Sequence, residues 1–168
     1  MPPVDTLIVI VAQYAIYAVA VGAVIAWLLV SRPEKYVLAV QAIVTVILVA
    51  ILVKVAGAVH TDPRPFVQDP SLQPMFPHPA DNGFPSDHTA LTFGIATIVT
   101  FYRKAIGIAL MVISLGIGAA RVAAHVHHVQ DIVAAVGIGV VAAVVAFYAV
   151  RPLTAASWWP GRDRELQS

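Results

Sequence analysis

The apolar residues of this chain come in five long runs, about Leu7–Val30, Tyr36–Val59, His88–Tyr102, Ala105–Ala120 and Val129–Val150. A helix needs roughly 20 apolar residues to cross a bilayer core. The pattern therefore predicts an all-α, polytopic membrane helix bundle of about five transmembrane helices, with six possible. The third and fourth runs are short and are expected either to be tilted less or to begin within the headgroup region. Met1–Thr6 has no basic cluster and carries Asp5, so Leu7–Val30 reads as a retained helix and not as a cleaved signal. Polar breaks separate the runs. Ser31–Lys35 reads as a tight turn in which Pro33 stops a helix, Arg103-Lys104 divides the third run from the fourth, and Trp158 and Trp159 suit an interfacial aromatic belt.

Composition supports the membrane reading. The 168 residues are 60% hydrophobic and 11% charged, with a mean hydropathy of +0.85, whereas soluble domains carry about 25% charged residues. A formal net charge of +1 offers no electrostatic footprint for nucleic acid. With no cysteine, disulfides and thiolate chemistry are excluded. Residues 1–168 are expected to form one membrane-embedded domain, with no obligate protein partner evident.

Threading the runs alternately places Arg32, Lys35, Arg103, Lys104, Arg151, Arg162 and Arg164 on one side, which the positive-inside rule assigns to the cytoplasm. Lys54, Arg64, Arg121 and all six histidines fall at or near the other face. Charges near membrane depth mark functional sites, although snorkelling would also accommodate Lys54 or Arg121 singly. The same face carries His60–Asp87, which contains prolines 63, 65, 70, 74, 77, 79 and 85 and cannot span as a helix. We read it as an ordered cap over a site, with His60 and His78 as surface residues.

Three groups of residues on this face carry chemistry. In the first, His127 and Asp131 are four apart, so a helix places them on one face. The carboxylate can take a proton from one ring nitrogen and leave the other as a base or nucleophile. Arg121, six residues before His127, suits bidentate binding of phosphate. The second is Pro85-Ser86-Asp87-His88, at the start of the third run, where Ser86 or Asp87 can cap the helix. The free N–H groups of that helix start favour an anion, and His88 is a candidate proton donor. The third is Lys54, followed by Asp62-Pro63-Arg64-Pro65, which supplies two more cations.

This ordered set resembles the signature of the type 2 phosphatidic acid phosphatase family, which includes bacterial undecaprenyl diphosphate phosphatases. That signature is Lys-x6-Arg-Pro, Pro-Ser-Gly-His and Ser-Arg-x5-His-x3-Asp. The resemblance covers residues 54–131, about half the chain. Arg121, His127 and Asp131 match, as do Ser86 and His88. Nine residues separate Lys54 from Arg64 in place of six, Asp87 replaces glycine beside His88, and Ala120 replaces serine. The Pro-Ser-Asp-His form is similar to that of some undecaprenyl diphosphate phosphatases.

The resemblance implies an integral membrane lipid phosphatase that needs no metal or other cofactor and acts on a lipid phosphate or diphosphate. Arg121, Arg64, Ser86 and Lys54 would hold phosphate, His127 would form a phosphohistidine supported by Asp131, and His88 would protonate the departing oxygen. Asp87 would raise the pKa of His88, helping to keep it protonated, and would repel phosphate modestly. The implied location is the bacterial inner membrane, with the site facing outward. Three alternatives stay open from sequence: a phosphatidylglycerophosphate or other lipid-phosphate phosphatase; a small proton-coupled transporter or channel; and a zinc site built on His125, His127 and His128, which zinc's need for convergent ligands disfavours.

Overall fold

The computed structural model describes residues 2–152. They form helices α1 (Pro3–Leu29), α2 (Arg32–Val59), α3 (Pro65–Gln68), α4 (Asp87–Thr100), α5 (Lys104–Ala123) and α6 (Val129–Val150), with no strand among the described residues. The turn between α1 and α2 is tighter than the proline pattern implied. Ser31 is already the N-cap of α2; its backbone N–H and hydroxyl both reach Glu34 Oε2, at 3.0 and 2.7 Å. Pro33 lies in the first turn of α2, where a missing N–H costs nothing, so it starts a helix instead of stopping one. The expected interfacial belt of Trp158 and Trp159 lies outside the described residues.

Helices α1, α2, α5 and α6 are long and apolar enough to cross a membrane. The third run behaves differently. Its helix, α4, has 14 residues, about 21 Å at 1.5 Å per residue, which falls short of a bilayer core of roughly 30 Å. Nine of its 14 residues are buried, so it forms the centre of the bundle, packed on α1, α2, α5 and α6. By contrast, α1 buries only Ala12, Val19 and Ala26, one every seven residues. Leu7, Tyr14, Tyr17 and Val21 point away from the protein. A water-facing surface would not sustain apolar faces of that extent, and lipid requires them. The chain is a multi-pass membrane protein with an all-helical bundle fold.

Close helix contact in lipid depends on small residues, because apolar side chains gain nothing by leaving lipid for one another. Gly139 on α6 shows this most directly: a Cβ there would lie 2.7 Å from both Ala90 O and Gly94 N on α4. Gly118 on α5 packs against Ile132 and Thr89, as a packing glycine should. Gly116, on the same helix, faces outward, and a Cβ added there would meet nothing within 4 Å.

The two ends of the bundle differ in chemistry. At one, buried Gln41 accepts from the Tyr102 hydroxyl at 2.7 Å and donates to Phe147 O at 3.2 Å, joining α2, the end of α4 and α6. Arg151 stacks on Phe147 at this end, and Lys35 lies over Trp27. At the other end, Phe76 of the proline-rich segment packs into Ala12, Ala120, Ala124 and Val126. The segment is an ordered cap, as anticipated. Gly139→Ala should push α4 and α6 apart and destabilise the detergent-solubilised protein by about 1–3 kcal/mol, while Gly116→Ala should be neutral; thermal unfolding of the two variants distinguishes them.

Candidate active site

The connection from α5 to α6 builds the first half of the site. Helix α5 is capped by Ala124, and His125 adopts a left-handed φ of 60°, a common way for a helix to end. The chain then reverses, and His128 caps α6. Asp131, one turn into α6 and fully buried, accepts from the His128 backbone N–H at 2.8 Å and lies 3.2 Å from His127 Nδ1 through the same Oδ2. The spacing of four residues therefore does what the sequence predicted.

The three neighbouring histidines have separate partners. His125 Nδ1 lies 3.1 Å from Gln73 O, and His128 Nδ1 lies 2.9 Å from Asp62 Oδ2. They do not converge with His127 on one ligand position. Asp62, His128 and Asp131 do bring ligand-type atoms within 4.8 Å of one another, but hydrogen bonds occupy much of that cluster. Asp62 also accepts from Gln130 and Gln68.

Arg64 completes the setting of His127. Its guanidinium is buried, with Nε on Asp81 Oδ1 at 2.8 Å and Nη1 on Val126 O at 2.6 Å. Nη1 also lies 3.4 Å from His127 Nε2. An arginine only donates, so Nε2 facing it is the unprotonated nitrogen, and Nδ1 carries the proton toward Asp131. The two neighbours thus fix one tautomer. Burial, the largest effect, pushes the His127 pKa below its ordinary 6.5; the bond to Asp131 opposes this, and the positive charges of Arg121 and Arg64 add to it. His127 is accordingly neutral near pH 7, with a lone pair on Nε2.

A cavity of about 230 Å³ opens beside this nitrogen, lined among others by Arg64, Arg121, His78, His88, Asp87 and His127. Arg121 is 3% exposed. Its Nη1 donates to Ala12 O at 3.2 Å, its Nη2 lies 3.1 Å from His78 Nε2, and its Nε has no partner among the described residues. Two guanidinium groups and three imidazoles around a small hole form a set that can hold a tetrahedral anion. Asp87 does not keep His88 protonated as the sequence suggested: burial first, and then the charges of Arg121 and His127, lower the His88 pKa to about 4.

Six of the sequence-predicted residues thus gather here: His127, His88, Arg64, Arg121 and Asp87 on the cavity wall, and Asp131 behind His127. Two do not. The Ser86 hydroxyl is fully buried 3.1 Å from Thr89 Oγ1 and accepts from the Thr89 backbone N–H, so as N-cap of α4 it orients the helix start and does not line the cavity. Lys54 is exposed and lies on a neighbouring apolar groove with Val46, Val49, Ala50, Val53 and Leu91; Asp87 lines both spaces. His78, read from sequence as a surface residue, is instead half-buried in the cavity wall, its ring centroid 6.2 Å from that of His127.

The loop that carries His78 and Arg64 is pinned at its base. Asn82 Oδ1 accepts from the Asp62 N–H at 2.9 Å, while its amide donates to Gly57 O and His60 O. Gly83 follows, where a Cβ would stand 3.1 Å from Asp62 O and 3.3 Å from Asp131 Oδ2, so glycine lets the loop approach the Asp131 carboxylate without crowding it.

The PAP2 superfamily pattern matches residues 38–155. The chain is 30% identical to the Bacitracin transport permease protein BcrC of Bacillus licheniformis over 143 residues, 85% of this chain and 70% of that protein. It is 31% identical to the Undecaprenyl-diphosphatase BcrC of Bacillus subtilis (strain 168) over 138 residues, 82% of this chain and 70% of that one. The crystal structure of Aquifex aeolicus LpxE has the same fold, with a TM-score of 0.73 at 24% identity over 88% of this chain and 87% of the other. This chain belongs to the PAP2 superfamily.

Proposed function

We propose that this protein is a membrane-embedded lipid phosphatase that converts undecaprenyl diphosphate to the monophosphate through a phosphohistidine on His127. The observation that carries this reading is the His127 ring held between Asp131 and Arg64, with its free Nε2 at the wall of an arginine-lined cavity. A phosphoryl group entering the cavity would place its oxygens on Arg64 and Arg121, including the unpartnered Arg121 Nε. Nε2 attacks the terminal phosphorus, and the bond to the bridging oxygen breaks. His88, whose pKa burial lowers to about 4, takes up a proton as the phosphoryl dianion enters, gives it to that oxygen as the lipid monophosphate leaves, then takes one from the water that attacks the phosphohistidine. The imidazolium formed on His127 is stabilised by Asp131. Positioning and cationic stabilisation supply most of the catalysis, as in phosphoryl transfer generally.

Lys54, on the apolar groove that adjoins the cavity at Asp87, is assigned to the part of the substrate nearest the lipid chain. Ser86 acts through the helix start that it caps. The distribution of Lys and Arg supports an outward-facing site in a bacterial inner membrane. The relative named as a transport permease keeps a transporter in view, and one experiment decides between the two.

Purified protein in detergent should release phosphate from undecaprenyl diphosphate in the presence of EDTA, and His127→Ala should lower kcat/KM by at least about 10⁴-fold. No release by wild type from any of a panel of lipid phosphates and diphosphates, together with solute movement in vesicles that depends on His127, would overturn the phosphatase reading.

A further inference from the structure

His78 is the one imidazole on the cavity wall that the proposed mechanism leaves without a role. It belongs to the proline-rich cap, which is anchored on both sides of it. Met75 N–H donates to Ala124 O at 3.2 Å, Phe76 is buried in the cluster at the end of α5, and Asp81 is paired with Arg64. The ring is therefore delivered to the cavity by a fixed segment and does not hang from a loose loop.

Its bonding defines its state. His78 Nε2 lies 3.1 Å from Arg121 Nη2, a group that only donates, so Nε2 accepts and the ring is neutral. The other nitrogen, Nδ1, carries the proton and faces Pro79 O at 3.4 Å. The charged and titratable groups that face or adjoin the ring are Arg64 after α2, Arg121 on α5, His127 in the connection to α6, Asp87 and His88 on α4, and Asp81 on its own segment. Burial first, and then Arg64, hold the His78 pKa below 6.5. The cationic cavity thus disfavours a further proton as long as no anion is bound.

A bound phosphate dianion reverses that balance. Protonated at Nε2, His78 can no longer accept from Arg121, and two donors then point into one small space. An anionic oxygen between them accepts from both. We propose that His78 is a substrate-binding residue that exchanges its bond to Arg121 for a bond to the phosphoryl group and takes up a proton as it does so. The cap would then couple anion binding to proton uptake. This rests on the phosphatase reading for the identity of the anion.

Sulfate is a suitable probe, because it is a tetrahedral dianion that does not itself titrate across roughly pH 5 to 8, the range in which imidazole does. Its inhibition of phosphate release from undecaprenyl diphosphate would be measured for wild type, His78→Gln and His78→Lys. Sulfate-dependent thermal stabilisation of the same proteins gives a readout that needs no turnover. Wild type should bind sulfate about ten-fold more tightly at the acid end, the scale of one charge-assisted hydrogen bond. His78→Gln should lose that part of the pH dependence and raise KM with little change in kcat. His78→Lys, carrying a fixed cation, should restore tight binding with the pH dependence still flattened.

An unchanged pH dependence in both variants, or an unchanged KM in His78→Gln, would overturn the role of His78 while leaving the phosphatase reading intact. Sulfate stabilisation that depends on His78, in a protein that hydrolyses no lipid phosphate, would support the anion site and overturn the phosphatase reading.

Discussion

The site is organised by the pinning of one imidazole ring. His127 sits between a carboxylate that can only accept and a guanidinium that can only donate, and these two partners leave it a single tautomer. Each partner is itself fixed by backbone. Asp131 is tied to the N–H of His128 at the start of α6, and Arg64 to the carbonyl of Val126. The ring, the helix start and the loop after α2 therefore form one unit. If either partner moved, Nε2 would lose its aim as well as its free lone pair.

The rest of the fold holds that unit at one end of the bundle. Helix α4 is too short to cross the bilayer core unaided and is buried among the longer helices, so its N-terminus can open into a protein-lined space and not into lipid. Non-helical backbone is tolerated near membrane depth only where protein or water satisfies it. The proline-rich cap meets that condition with Asn82, Gln68, His125 and the backbone of Ala124 as partners. Gly139 and Gly94 let α6 approach α4 closely enough for Asp131 and the start of α4 to meet; the Ser86 N–H donates to Asp131 O at 3.3 Å.

Much of this was legible in the chain. The apolar runs located every long helix to within a few residues, because a membrane solvent demands continuous apolar sequence. The i, i+4 relation of His127 and Asp131 survived because it is local and helical. What escaped was set by tertiary packing. The burial of α4 depends on neighbours that no run length records. His78 lies among prolines with no periodicity, so nothing local marked its direction. Ser86 served the helix cap before any ligand, since its hydroxyl is closest to Thr89. Lys54 kept the charge the motif asks for, but its altered spacing left it on the groove next door.

The proposed reaction turns on His127 Nε2 as the atom that takes the phosphoryl group. The direct measurement is alkaline quench of the enzyme during turnover of undecaprenyl diphosphate labelled in its terminal phosphate, followed by peptide mapping. Alkali preserves a phosphohistidine. The prediction is label bound to His127 through Nε2, absent when His127 is replaced by alanine. Full turnover with no trapped label, or label on another residue, would contradict it.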